Sequence, residues 1–304
     1  MNKKRNEIRK MMVLFLGPIV LIFALIFIYP IIRTISMSFF AVDRPSMRME
    51  EWRFHGIDNY IKILQSSFFS VSMWNLLKIW LFGGIFVLSI ALLFAVILTS
   101  GIRFKSFYKA AVYLPNVISA VAIATMWVFY VYNQRYGLLH NLFNVIGLEE
   151  LSKIRWMGSD MIFWSMLFAF CFSAVGYYML IFISGIEKIP VDLFESATID
   201  GAGRFKQFFY ITLPLLKGIV KTNLTFWSIN AIGFFVWTKM FSPIQSENGT
   251  ITPTAYMYEM IFGSKIIKKT DAGAGAAIGC LLTLCVMIVF LVINRMIQDD
   301  DLEY

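Results

Sequence analysis

Six long apolar runs constrain the fold of this chain more than any other feature of its sequence. A helix that crosses a bilayer core needs about 20 apolar residues, and each run reaches that length. The runs cover residues 12–39, 74–99, 107–132, 160–186, 215–241 and 272–296. The chain of 304 residues is 59% hydrophobic and 15% charged, which is more apolar than a soluble domain. The sequence therefore predicts an all-α integral membrane protein, a bundle of six transmembrane helices.

Basic residues beside these runs predict the orientation of the bundle. Five lysines and arginines lie just before the first run, and the positive-inside rule puts such a segment in the cytoplasm. Three basic residues of the second connection agree with this orientation, whereas three lysines of the fifth connection oppose it. These six residues are Arg103, Lys105, Lys109, Lys265, Lys268 and Lys269. Because six helices put both ends on one side, we expect cytoplasmic N- and C-termini.

The runs also predict the domain organisation. Residues 1–11 form a cytoplasmic N-terminal segment, residues 12–296 a single membrane domain of six helices, and residues 297–304 a cytoplasmic acidic tail. The net charge of +8 could suggest nucleic acid, but the basic residues cluster beside apolar runs and form no recognition motif. No nucleic-acid partner is expected.

A polar loop, about residues 187–214, separates the fourth run from the fifth on the predicted cytoplasmic side. Its first part has helical spacing, and Pro190 can start such a helix while Gly201 can end it. Asp192 and Glu195 lie in the first turns, where the helix dipole favours carboxylates. An ordinary connection at a membrane surface needs amphipathicity, but it does not need Glu, Gly and Leu-Pro at fixed distances. The spacing therefore indicates that another protein recognises this loop.

The loop resembles the EAA loop in the membrane subunits of ABC importers. That pattern is Glu-Ala-Ala, three residues, Gly, nine residues and Ile-x-Leu-Pro. Here Glu195-Ser196-Ala197, Gly201 and Ile211-Thr212-Leu213-Pro214 match it, with Ser in the second position. Residues 56–60, 113–115, 185–190 and 211–216 are similar to the carbohydrate branch of these importers. The resemblance implies the transmembrane domain of a type I ABC importer for carbohydrate in a bacterial cell membrane.

The resemblance further implies that the loop contains a coupling helix, which docks in a cleft of an ATP-binding subunit. The residues carried over for this role are Glu195, Ser196, Ala197, Asp200, Gly201 and Ala202. Glu195 would pair with a basic residue of the ATPase, and Gly201 would permit a tight turn. Because the sequence contains no Gly-Lys-Ser or Gly-Lys-Thr, ATP and Mg would be used by partner subunits. This chain would bind no cofactor or metal and would have no catalytic residue.

Other partners are also implied by the resemblance. They are a second permease subunit, two ATP-binding subunits, an extracellular sugar-binding protein, the sugar itself and membrane lipid. The importer would then work as a pair of different permease chains driven by a pair of ATPases.

Two helical stripes are candidates for contact with the substrate. The fourth run carries Phe170, Ser173, Ala174 and Tyr177, and the fifth carries Trp227, Asn230, Ala231 and Phe234, each at the spacing of one helix face. Each stripe combines aromatic rings that can stack on a sugar with a hydroxyl or amide that can bind sugar hydroxyls. Helix packing explains the same spacing, since small and aromatic residues also form helix interfaces. The resemblance favours the sugar site.

Three alternatives remain open at this point. The chain could be an ABC importer permease for an amino acid or another small polar solute, although charged residues are scarce in the runs. A membrane enzyme would need a cluster of acid, base or metal-binding side chains, but His55 and His140 both lie in predicted outward connections. A secondary transporter would not need a cytoplasmic docking motif.

Overall fold

The structure is a computed structural model that describes residues 2–244, 246–265 and 267–297, with side chains from residue 11 onward. The predicted acidic tail lies outside the described residues, apart from Ile297. In chain order the α-helices are α1 (Asn2–Phe23), α2 (Tyr29–Ser38), α3 (Asp58–Leu64), α4 (Ser67–Lys78), α5 (Gly84–Thr99), α6 (Lys105–Val117), α7 (Ala120–Met126), α8 (Leu138–Ile146), α9 (Glu149–Ser152), α10 (Ile162–Ile186), α11 (Val191–Ile199), α12 (Arg204–Gln207), α13 (Leu213–Leu215), α14 (Lys217–Ile232), α15 (Phe235–Phe241), α16 (Pro253–Phe262) and α17 (Ala272–Met296).

Shorter elements complete the described chain. Single turns of π-helix are Ala24–Ile28, Ile79–Gly83, Trp127–Val131 and Phe208–Thr212, and a 3-10 turn is Met49–Glu51. The strands β1 (Phe40–Ala41) and β2 (Arg53–Phe54) pair antiparallel, with Phe40 opposite Phe54.

Four helical stretches among the described residues are long and apolar enough to cross a membrane. They are Met11–Ser38, Ser67–Thr99, Ile162–Ile186 and Ala272–Met296. They coincide with the first, second, fourth and sixth predicted runs. The helices α6 and α7 make a fifth stretch only if Lys105–Val117 and Ala120–Val131 count as one span, because they are bent by 95°.

In the structure, neither the third predicted run, residues 107–132, nor the fifth, residues 215–241, is one continuous helix. The first breaks after Val117, where Ile118 is extended with φ −72° and ψ 140°. Pro115 lies two residues before this end, and proline weakens a helix because it has no amide hydrogen to donate. The second breaks between α14 and α15 at Gly233, which leaves helical geometry with φ −72° and ψ 15°. Glycine has little helix propensity, so this is a weak point of the run.

Contacts between Cα atoms divide the chain into two compact units. The first contains residues 1–66 and 257–281, and the second contains residues 67–256 and 282–304. Each unit has buried apolar residues of its own.

The first unit is built where the β-hairpin meets the start of α17. A small core of buried residues forms there, and it consists of Met37, Val42, Ala272 and Ala276. Asn59 is buried and its amide donates to the carbonyl oxygens of Ser38 (3.0 Å) and Phe40 (2.9 Å). A side chain at Gly273 would lie 2.3 Å from the Phe40 oxygen, so glycine permits this close approach. Small residues at the start of α17 therefore let the backbone of this helix pack closely here.

The second unit is built around α10, which contacts α5, α6, α14 and α15. Its core includes Trp227 on α14, which is fully buried. The Trp227 indole donates to the carbonyl oxygen of Trp80 (2.8 Å), and the Trp80 indole donates to the hydroxyl of Ser228 (2.8 Å). Gly84 is the first residue of α5, and a side chain at this position would lie 2.6 Å from the Trp227 ring. Helix α14 therefore approaches α5 as closely as the backbone allows.

Candidate functional site

The 187–214 loop contains the predicted short helix, α11, with both of its predicted ends. Pro190 precedes it with extended geometry, and Gly201 follows it with φ +77°, a conformation that only glycine adopts without strain. The amide of Gly201 donates to Thr198 (3.0 Å) and that of Ala202 donates to Ala197 (2.8 Å). These two bonds form a Schellman motif, which fixes the direction in which the chain leaves the helix.

Helix α11 presents most of its surface to solvent. No residue of the helix is buried, and only Phe194 and Ala197 are half-buried. Ile199 at its end is 87% exposed. Within the described part of the chain, the Glu195 carboxylate has no hydrogen bond or ion pair. The helix is thus a rigid element with an unpaired carboxylate and an exposed apolar tip.

Gln207 on α12 holds α11 in position, and sequence reasoning missed this residue. Its amide nitrogen lies 2.9 Å from the Thr198 hydroxyl, 3.0 Å from the Ala202 carbonyl oxygen and 3.4 Å from the Phe194 carbonyl oxygen. An amide that donates to both ends of the turn limits rotation of α11 relative to α12. A polar residue six positions after the Gly201 turn was the only signal in the sequence.

An ion pair lies where α10 enters this loop. The Lys105 ammonium, at the start of α6, is 2.7 Å from the Glu187 carboxylate, at the end of α10. The hydrogen bond from Lys105 lowers the pKa of Glu187 below its ordinary value, and the charge of Lys109 acts in the same direction. Both side chains are exposed to water, so screening limits the strength of the pair.

A second feature of the same unit is a cavity of about 410 Å³ between α10, α14 and the break that follows α6. We call it the Asn230 cavity. Its lining is Pro115, Asn116, Ile118, Ala120, Phe170, Ser173, Ala174, Tyr177, Tyr178, Asn230 and Trp237. No charged residue is among these, and the cavity therefore suits a neutral ligand.

In the structure, the residues of the two predicted stripes lie in different places: some line the Asn230 cavity and others lie in the core. All four residues of the α10 stripe line the Asn230 cavity, but only Asn230 of the α14 stripe does. Trp227, Ala231 and Phe234 are each at most 1% exposed and lie in the core. Phe234 and Trp227 pack against Phe170, with ring centroids 4.8 and 5.6 Å away. Trp227 also packs against Tyr178 (5.8 Å) and Phe234 against Trp237 (6.5 Å), so these residues lie behind the cavity wall and helix packing accounts for them.

The polar groups of the cavity can bind hydroxyls. The Asn230 amide donates to the Tyr178 hydroxyl (2.9 Å), which orients both groups on one wall. The Ser173 hydroxyl donates to the carbonyl oxygen of Phe170 (2.7 Å) and can still accept a bond. With Asn116 and the aromatic rings, this wall offers donors, acceptors and stacking surfaces.

Three polar or aromatic residues of the cavity lining, Asn116, Tyr178 and Trp237, were not predicted from the sequence. Asn116 lies beside the break that ends α6, and the proline that precedes it was the available signal. Tyr178, four residues after Ala174, and Trp237, three residues after Phe234, continue the one-face spacing, and this spacing was the available signal. Trp237 enters the lining because the break at Gly233 starts a new helix, α15, with its own direction.

Residues 88–299 match the family model described as the binding-protein-dependent transport system inner membrane component. This match covers more than half of the chain and includes both the 187–214 loop and the Asn230 cavity. The chain belongs to this family. As an inner membrane component, it is a permease subunit of a transport system, and the membrane assignment predicted from its apolar runs is confirmed.

Individual relatives agree with the family. The diacetylchitobiose uptake system permease protein NgcF of Streptomyces coelicolor is 30% identical over 270 residues, which cover 82% of this chain and 74% of that protein. The arabinooligosaccharides transport system permease protein AraP of Halalkalibacterium halodurans is 30% identical over 280 residues, 90% and 83% of the two chains. The crystal structure of a bacterial ABC transporter involved in import of the acidic polysaccharide alginate matches with TM-score 0.76 at 19% identity, covering 99% and 98%.

The structural match confirms the predicted fold class. The permease is an all-α membrane protein with the fold of a type I ABC importer transmembrane domain, although its third and fifth runs are broken helices. The recognised family is the predicted one. Because the family is the membrane component of a transport system, it supplies no reason to assign an enzymatic reaction to this chain.

Proposed function

We propose that this chain is the membrane-spanning permease subunit of an ATP-driven ABC importer that translocates a carbohydrate. An extracellular binding protein would deliver the sugar, in keeping with the family description. Relatives named for diacetylchitobiose and arabinooligosaccharides support an oligosaccharide as the cargo.

The observation that carries the proposal is the geometry of α11. A lever that transmits motion must be stiff, must be reachable from outside and must carry a specific contact. The Schellman end and the Gln207 bonds supply stiffness, and the exposed surface with the unpaired Glu195 supplies the contact. We propose that α11 docks in a cleft of an ATP-binding subunit, with Glu195, Ser196, Ala197, Asp200, Gly201 and Ala202 as the coupling residues.

The orientation and the partners follow from this role. The basic residues within residues 1–11 support a cytoplasmic N-terminus by the positive-inside rule. The same side would hold the 187–214 loop, the acidic tail and two ATP-binding subunits that use ATP and Mg. A second permease subunit would complete the translocation path, and residues 12–296 would form this chain's share of it.

The proposed substrate contacts are the polar and aromatic groups of the Asn230 cavity. Phe170, Ser173, Tyr177 and Asn230 combine ring faces with hydroxyl and amide groups, which is the chemistry that sugar hydroxyls require. Ala174 leaves room between them. Trp227, Ala231 and Phe234 would support this wall from behind rather than touch the sugar.

Two substitutions in α11 test the coupling role in the assembled importer. We expect Glu195→Ala and Gly201→Asp each to abolish uptake in proteoliposomes, the first by removing the contact and the second by straining a residue with φ +77°. Lys206→Gln is the matched control, because it changes an exposed charge of the same loop outside the pattern. Co-purification of the subunits should be unchanged. Uptake at the wild-type rate in both variants would refute the coupling role.

A carbohydrate panel tests the cargo. Uptake of labelled mono- and oligosaccharides should identify at least one substrate, and uptake of only amino acids or peptides would refute the carbohydrate assignment.

For the sugar identified in this way, Asn230→Leu should raise the concentration for half-maximal uptake about tenfold, because one net hydrogen bond of about 1.4 kcal/mol is lost. Thr222→Val, on the same helix but outside the cavity lining, is the control.

A further inference from the structure

An apolar groove on the second unit has no role in the proposed transport path. We call it the aromatic groove, and its volume is about 640 Å³. Its lining is Phe82, Ile85, Phe86, Tyr132, Leu139, Phe143, Trp156, Trp164, Ser165, Leu167, Phe168 and Cys171. On α10 the lining extends from Trp164 to Cys171, which corresponds to roughly 10 Å along the helix axis. The groove therefore runs from the end where α10 begins into the apolar part of the span.

A polar cavity adjoins this groove. We call it the arginine cavity, and its volume is about 720 Å³. Arg135 and Arg155 both line it, together with Asn133, Gln134 and Tyr136. Both arginines are exposed, and neither forms an ion pair in the part of the chain that the structure describes. Nearby Lys153, by contrast, is paired with Glu150 at 3.0 Å. The cavity thus holds two cationic groups that lack an anionic partner.

Tyr132 joins the two spaces, because its side chain lines both of them. Its ring stacks on Trp156 with centroids 5.8 Å apart, and its hydroxyl donates to the carbonyl oxygen of Ser165 (2.9 Å). Tyrosine and tryptophan side chains concentrate at the level of lipid headgroups. The stacked pair therefore marks the height at which a polar compartment meets an apolar one.

We propose that these two spaces form one binding site for an anionic phospholipid. The phosphate and acidic headgroup lie in the arginine cavity, and one acyl chain lies in the aromatic groove. Guanidinium groups bind phosphate oxygens through paired hydrogen bonds, and an acyl chain matches the almost wholly apolar lining. A sugar would leave the apolar groove unused, and an apolar helix of another subunit would leave both arginines unpaired. A phospholipid in the leaflet nearest the start of α10 fills both spaces, because its headgroup pairs with the arginines and its acyl chain covers the apolar groove.

Lipid retention measures this site directly. The permease is purified together with the subunits that co-purify with it. The complex is placed in nanodiscs of dioleoylphosphatidylcholine that contain a minor fraction of dioleoylphosphatidylglycerol. Native mass spectrometry then counts the phosphatidylglycerol molecules that stay bound. We expect selective retention by the wild type and a loss of about tenfold in affinity for Arg155→Gln combined with Arg135→Gln, since each basic group contributes to the attraction of anionic lipid.

Matched variants separate the two compartments. Arg155→Gln is compared with Lys153→Gln, which removes an equal charge two residues away and outside the cavity. Ile85→Trp, which narrows the groove at an exposed position, is compared with Leu93→Trp, which is exposed on the same helix away from the groove. Only the first member of each pair should lower retention. Equal retention within both pairs, with unchanged thermal unfolding, would overturn the proposal.

Two further outcomes would also overturn it. If glycerol phosphate in solution competed as well as phosphatidylglycerol, the ligand would be a soluble anion and the groove would have no part in binding it. If the wild type retained no phosphatidylglycerol and Ile85→Trp released another polypeptide from the complex, the groove would belong to a subunit interface.

Discussion

The first apolar stretch, Met11–Ser38, and helix α10 are both long enough to span a membrane, but they differ in what surrounds them. In the most apolar window of the first stretch, no residue is buried, whereas 61% of the corresponding window of α10 is buried. In the first stretch, Leu14 and Phe15 are 71% and 69% exposed. Hydropathy reports that a helix belongs in a bilayer, and it does not report whether lipid or protein covers the helix.

Small and polar residues distinguish the two helices more clearly than apolar ones do. Gly176 of α10 lies against the backbone of α6, while a Cβ added at Gly17 of the first stretch would meet no atom within 4 Å beyond its own turn of helix. Tyr178 of α10 bonds to Asn230, whereas Tyr29 of the first stretch is half exposed. Since lipid supplies no hydrophobic drive between helices, such close contacts and bonds hold a membrane bundle together.

The largest difference in stability between the two helices is expected when one glycine in each is replaced by valine. In Gly176→Val the new Cβ would meet the Val112 oxygen at 2.5 Å and the Tyr113 Cα at 2.7 Å, and backbone atoms cannot turn aside. We expect the free energy of unfolding to fall by about 3 kcal/mol or more, and we expect the protein to lose its monodispersity. Gly17→Val makes the same change in helix propensity without a clash, so its thermal unfolding should match the wild type. Similar losses in both variants would contradict the packing difference.

Truncation of a large side chain should have a smaller effect of the same sign. Met166 of α10 is fully buried, and Met166→Ala should lower the free energy of unfolding by about 2 kcal/mol because it leaves a cavity. Leu14→Ala removes an exposed side chain of similar size and should change the unfolding temperature little. Thermal unfolding of both variants in nanodiscs of one lipid composition checks this. An equal shift would mean that other molecules cover the first stretch as tightly as protein covers α10.

Loss of one hydroxyl group should have a smaller effect again. Tyr178→Phe removes the hydrogen bond with Asn230. It should lower the free energy of unfolding by about 0.6 kcal/mol, which is the average for such bonds within membranes. Tyr29→Phe in the first stretch is the control and should be neutral. A double-mutant cycle with Asn230→Leu should yield a coupling energy of the same size. Independent, additive effects of the two substitutions would show that the bond adds no stability.

The smallest effect is expected at the end of α10, where Glu187 pairs with Lys105. The pair lowers the pKa of Glu187 below its ordinary value of 4.5, so its stabilisation is present above that pH and is lost as pH falls through the lowered pKa. Because both side chains are exposed, we expect the pair to add less than about 0.5 kcal/mol to the free energy of unfolding. The dependence of unfolding temperature on acid pH should be weaker in Lys105→Gln than in the wild type. An unchanged dependence would exclude this pair as its source.

Prediction from the sequence succeeded where structure depends on neighbouring residues. The ends of α11 at Pro190 and Gly201 follow from the conformations open to proline and glycine, and the structure has both. The breaks after Val117 and at Gly233 were missed, because hydropathy averages over a run and hides a single weak position. The hydrogen-bond partners of Gln207 and Tyr178 could not be predicted because they lie on other elements of the fold.

The sequence by itself determined that this chain spans a membrane, that a short helix with a glycine stop interrupts its spans and that it belongs among importer subunits. Length, polarity and backbone preference are local properties, so they can be derived without coordinates. Only the tertiary structure decided which stripe residues line a cavity and which fill the core. Ser173 and Trp227 obey the same spacing rule, but Ser173 lines a cavity whereas Trp227 packs against Gly83 and Gly84 in the core. Side-chain roles of this kind depend on helix packing across distant parts of the chain.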